Sequence, residues 1–81
     1  MRERAKVAIS EVCLEFARAT QLHPPFHSAH EGYAVMLEEM DELKAEVWRR
    51  HRDGPAMRAE AVQVAAMALK FLVDVCKENN G

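Results

Sequence analysis

Three carboxylates and one amide stand at spacings that let them converge on a hard cation. Glu39-x-x-Glu42 is followed, beyond a turn signal at Asp53-Gly54-Pro55, by Glu60-x-x-Gln63. Residues three apart on a helix share a face. Two helices folded back at that turn therefore gather Glu39, Glu42, Glu60 and Gln63 around one point. Such oxygen donors suit Mg²⁺, and a cation of that kind suits phosphate chemistry. Glu60 and Gln63 are also the principal polar groups at the start of an otherwise apolar stretch, where an unpartnered carboxylate is costly to bury. A shared cation removes that cost. Pairing of Glu60 with Arg50, Arg52 or Arg58 also removes it, and the sequence leaves both readings open.

Three helices are predicted to carry these groups. The first spans about 2–20, with Ala5, Ala8, Ile9, Val12, Cys13, Phe16 and Ala17 recurring at helical spacing. Leu22-His23-Pro24-Pro25-Phe26-His27 ends it, because consecutive prolines cannot continue a helix. The second spans about 29–52. Ser28-Ala29-His30-Glu31 has capping-box form, the Ser hydroxyl accepting from the Glu31 N–H and the Glu31 carboxylate reaching back. Tyr33, Met36, Leu37, Met40, Leu43 and Val47 form its apolar stripe, Glu39, Glu42 and Glu46 line another face, and Arg49, Arg50 and Arg52 gather at its C-terminal end, where cations complement the helix dipole. The third spans about 55–78, with Pro55 at the first helical position and Asn79-Asn80-Gly81 fraying or capping its end.

The third helix is unusual in composition. Between Ala61 and Cys76 only Gln63, Lys70 and Asp74 are polar, and with Glu60 they fall on one narrow strip near Met67. A surface helix shows a broad polar face. Two other helices of so short a chain cannot cover the rest, which predicts a homo-oligomer, dimer or tetramer, with the third helix in its interface.

Composition fits one all-α domain built as a three-helix antiparallel bundle. Eighty-one residues make a single small domain. The 49% hydrophobic share rules out a disordered chain, and Ala, Glu, Leu, Met, Lys and Arg, which favour helix, dominate. A net charge of −2 argues against nucleic acid as a partner. No apolar run is long enough for a membrane span, and Met1-Arg2-Glu3-Arg4 does not open a signal peptide. Cys13 and Cys76, far apart in apolar runs, read as buried free thiols of a cytoplasmic protein.

Around the acidic residues the chain resembles the MazG-like all-α nucleoside triphosphate pyrophosphohydrolases. That family carries Glu-x-x-Glu on one helix and Glu-x-x-Asp on the next. Glu39-Met40-Asp41-Glu42, with Glu38 before and Leu43 after, matches the first part, and Glu60-Ala61-Val62-Gln63 resembles the second, with Gln63 where the family has Asp. His30-Glu31-Gly32-Tyr33 and Val64-Ala65-Ala66-Met67 look like small, phage-type members. The resemblance covers roughly residues 25 to 76. It implies hydrolysis of a nucleoside triphosphate to the monophosphate and pyrophosphate, as nucleotide-pool housekeeping. Mg²⁺, or Mn²⁺ in its place, would be held by Glu39, Glu42 and Glu60 with Gln63 in the fourth position. Glu38 is then a candidate for the water-activating base or for a group behind the ligands. Gln63 brings an oxygen but no charge, so the cation is held more weakly or catalysis is lost.

Other residues admit two readings. Lys70, two turns beyond Gln63, reaches either a phosphate oxygen or Asp74, one turn further on. Arg49, Arg50, Arg52 and Arg58 hold outer phosphates or form a solvated cluster. Trp48 and Tyr33 stack on a base or pack in a core or interface. His23, His27 and His30, with Glu31, lack the firm spacing of a zinc site and read as loop and first-turn histidines. The alternative to the enzyme is a non-catalytic helical scaffold or interaction protein whose acidic face is only solvated.

Overall fold

The computed structural model describes residues 2–76, which form three helices and no strand: α1 (Glu3–Leu22), α2 (Ala29–Val47) and α3 (Gly54–Asp74). α3 stops at Asp74, short of the expected limit at Glu78, with Val75 capping it by donating to the Phe71 carbonyl; the cap expected at Asn79-Asn80-Gly81 lies outside the described residues. α1 runs through Leu22, two residues past expectation, and stops at His23, whose extended backbone (φ −132°, ψ 147°) is what a residue before proline adopts. Ser28 caps α2 by accepting from the Glu31 N–H at 3.0 Å. The Glu31 carboxylate reaches one residue further back than a capping box requires, accepting from the His27 N–H at 2.5 Å. Asp53 caps α3 through the Ala56 N–H at 3.1 Å, with Pro55 in the first turn.

α2 ends five residues short of the expected limit. Trp48 leaves helical geometry (φ −90°, ψ 6°), and Arg52 folds back so that its Nε donates to the Val47 carbonyl at 2.8 Å. An arginine that satisfies a terminal carbonyl ends the helix instead of prolonging it. Arg50 and Arg52 therefore sit in the hairpin turn rather than on the helix.

α3 is the central element: α1 and α2 each pack on it and not on one another. Contacts of Glu11 with Arg58 and of Pro24 with Lys70 run α1 parallel to α3. Gly32 against Phe71 and Glu42 against Glu60 run α2 antiparallel to it. The result is an open three-helix bundle in which the polar strip of α3 faces the cleft between its neighbours. Its fully buried apolar core is small: Ala19, Ala66 and Met67, with Val12, Phe16, Phe26, Val35 and Met36 packed around them.

The outer helices are rotated from their apolar stripes. α1 turns Val12, Phe16 and Ala19 inward and leaves Ile9 and Cys13 exposed. Cys76 is exposed as well, so both thiols are free, as expected, but not buried. α2 turns Gly32, Val35 and Glu39 toward α3, while Tyr33, Leu37 and Met40 face outward. No helix of the described residues is long and apolar enough to cross a membrane.

Gly32 sets the closeness of α2 to α3. A Cβ there would lie 2.6 Å from Phe71 Cδ2 and 3.0 Å from Phe26 Cδ2. Gly32→Ala gains about 1 kcal/mol of helix propensity and loses about 2 kcal/mol to overpacking. A net destabilisation of about 1 kcal/mol is expected in urea unfolding followed by circular dichroism; a net stabilisation would show that the rings move freely.

Candidate metal centre

The antiparallel register of α2 on α3 brings Glu39, Glu42 and Glu60 together. One carboxylate oxygen from each lies within 4.8 Å of the other two. Glu39 and Glu60 are half-buried and Glu42 is exposed, so the cluster opens to solvent on one side. Its Glu39 Oε1 is buried with no hydrogen-bond partner.

The electrostatics are those of crowded anions. Burial pushes the Glu39 carboxyl above the ordinary carboxylate value, and the charges of Glu42, Glu60, Glu38 and Glu15 push it further. Glu60 is raised by burial first, then by its hydrogen bond to Glu42 and the charges of Glu42 and Glu46. Arginines do not relieve this crowding. Arg58 pairs with Glu11 of α1 at 2.5 Å, Arg49 with Glu46 at 2.9 Å, and Arg52 holds the Val47 carbonyl. None of the ion pairs among the described residues reaches Glu39, Glu42 or Glu60.

Gln63 lines the cleft with Glu39 and stands near Glu15 of α1. Glu15 takes two bonds from Arg18, Nε to Oε1 at 2.9 Å and a terminal nitrogen to Oε2 at 2.7 Å. Arg18 first, and Gln63 after it, hold the Glu15 carboxyl below its ordinary value against the opposing effect of burial. The sequence reading missed Glu15. Its signal was a carboxylate among Val12, Phe16 and Ala19, the residues α1 turns inward. Glu38 is exposed and outside the cluster, acting on Glu39 through its charge alone.

Lys70 takes the ion-pair reading rather than that of a free phosphate ligand. It is 3% exposed, donates to Asp74 Oδ2 at 2.5 Å and to the Pro24 carbonyl at 3.0 Å, and lies 4.3 Å from the centre of the Phe26 ring. Asp74 also accepts from the Phe26 N–H at 3.0 Å. Together these contacts bolt the α1–α2 connection onto α3. Of the histidines, His27 lies 3.5 Å from Glu31. The candidate metal-ligand group found among the described residues contains no histidine.

Beside the acidic cluster, α1 and α2 wall a cleft of about 370 Å³ floored by α3. Glu39 and Gln63 line it where it meets the cluster, Arg18 and Glu15 on one wall, Val35 on the other, Met67 below. Its size suits a small-molecule ligand.

Comparison of the chain with protein-family models, with curated proteins and with solved structures finds no match. The donor set must therefore be judged by its own chemistry. Three hard oxygen donors in a group that repels itself, with a further orphaned buried oxygen on Glu39, suit a divalent cation of the Mg²⁺ or Mn²⁺ type.

Proposed function

We propose that the protein is a divalent-cation-dependent nucleoside triphosphate pyrophosphohydrolase, working as a homo-oligomer in the cytoplasm on the nucleotide pool. The observation that carries this reading is the gathering of one carboxylate oxygen each from Glu39, Glu42 and Glu60 within 4.8 Å, on a set in which Glu39 also has a buried, unpartnered oxygen. Glu39, Glu42 and Glu60 would hold the cation. When bound, it supplies positive charge against a triphosphate and lowers the pKa of water. The chain's own residues do the rest. Glu39, at the mouth of the cleft, joins the cation position to the space for the nucleoside. Gln63, which lines the cleft beside Glu39, would offer its amide oxygen to the same cation as a fourth, uncharged donor. Arg18 stands at the rim with its side chain 59% exposed, able to turn toward an anion. Glu38, exposed and next to Glu39 in the chain, would be the candidate for accepting a proton from water.

The test is pyrophosphate release from a panel of ribo-, deoxy- and modified nucleoside triphosphates with and without Mg²⁺. Metal-dependent release should fall about 100-fold or more in Glu39→Gln. The scaffold reading draws on the structural employment of Lys70. It becomes the better one when no nucleotide is cleaved and the well-folded protein ignores divalent cations.

A further inference from the structure

The outward face of α2 is an apolar groove that no part of the described chain covers. Leu37, Met40, Leu43, Val47 and Trp48 line it, with Asp41 and Lys44 the two charged residues among them. Trp48 is 75% exposed and Tyr33, one turn before Leu37, 63%. A bundle whose buried apolar core is Ala19, Ala66 and Met67 has too little core of its own to leave such a face in water. The uncovered side of α3 carries Leu72 and Val73, 59% and 54% exposed, but toward its N-terminal half only Ala61 and Ala65, and it has no pair of opposite charges like Asp41 and Lys44.

The order of residues along the groove says what fits. Its lining runs from Leu37 to Trp48, with its midpoint between Glu42 and Leu43. Asp41 and Lys44 lie at equal distances on either side of the same midpoint. A two-fold axis there sets α2 antiparallel to another α2, places Asp41 opposite the second copy's Lys44 twice over, and lays Trp48 on the second copy's Leu37. That symmetry is the requirement of an isologous interface, and an aromatic anchor beside a rim of paired charges is its usual energetic form. We propose that the protein dimerises through this face of α2, antiparallel about the Glu42–Leu43 midpoint. The interface deepens the oligomeric part of the reading above and does not depend on catalysis.

Sedimentation equilibrium across micromolar concentrations, with the emission of the single tryptophan as a second readout, tests it. A dimer with blue-shifted Trp48 emission is expected. Trp48→Lys should weaken association about 30-fold or more. Asp41→Lys and Lys44→Asp should each weaken it, and the double exchange should restore it, with helical content unchanged throughout. A dimer that survives Trp48→Lys and both single exchanges overturns this face while leaving an oligomer standing. A monomer at all concentrations overturns both.

Discussion

Lys70→Met is expected to destabilise the fold by about 3 kcal/mol, the cost of removing one member of a buried ion pair. The ammonium is almost wholly buried and joins three things: the Asp74 carboxylate, the Pro24 carbonyl and the face of Phe26. Removing it leaves the Pro24 carbonyl without this donor and takes the positive charge from beside Asp74. A domain of this size has on the order of 5 kcal/mol to lose, so the variant should be marginal. Its urea midpoint should fall by more than half. Lys70→Met with Asp74→Asn should recover part of the loss, because the amide oxygen still accepts from the Phe26 N–H and no carboxylate has to be desolvated beside the methionine. A different result identifies a different role. If Lys70 served a phosphate and not the fold, Lys70→Met would leave the urea midpoint in place and raise KM for the nucleotide.

The three helices were legible because their limits are chemical: Pro24-Pro25, the Ser28 cap, and Asp53-Gly54-Pro55 each stop or start a helix whatever lies around them. The α2 end was not, because Arg49, Arg50 and Arg52 suit a last helical turn as well as the hairpin that Arg52 closes. Glu39, Glu42 and Glu60 were legible as a group because i,i+3 spacing and an antiparallel hairpin leave little choice of register. Gln63 follows the same spacing, but its nearness to Glu15 of α1 was not legible. That neighbour lies on another helix, and no local pattern in α3 announces it. The rotation of α2 was hidden for a related reason. Periodicity finds the Tyr33–Leu37–Met40 stripe but not what it faces. Small Gly32 lets α3 approach one side of that stripe, so the acidic edge goes inward and the apolar face outward.

Divalent cation should convert an acid-stabilised protein into one most stable near neutrality. Glu39 and Glu60 both have folded-state values raised above the ordinary 4.5, so the fold favours their protonated forms. Their contribution is fully present below the ordinary value and is lost as pH rises through the raised ones. Glu15 has the opposite sign: its lowered value gives stability above 4.5 that is lost on further acidification. Without metal, unfolding temperature should therefore rise as pH falls from neutrality toward the ordinary carboxylate value and drop again below it. A cation needs the carboxylates ionised and competes with those protons. At 100 times its Kd it adds about 2.7 kcal/mol at neutral pH, which exceeds the few tenths of a kcal/mol expected from a like-charge pair on a helix. The curves with and without Mg²⁺ should be furthest apart near neutrality and converge on acidification, at matched ionic strength. Glu42→Gln should slightly stabilise the metal-free protein, by about 0.3 kcal/mol, and abolish the Mg²⁺ effect. Superimposable curves with and without Mg²⁺ at every pH would remove the cation from the site, and with it the hydrolytic reading. Loss of the metal-free acid stabilisation alone would show that Glu39 and Glu60 ionise as freely in the fold as in the unfolded chain.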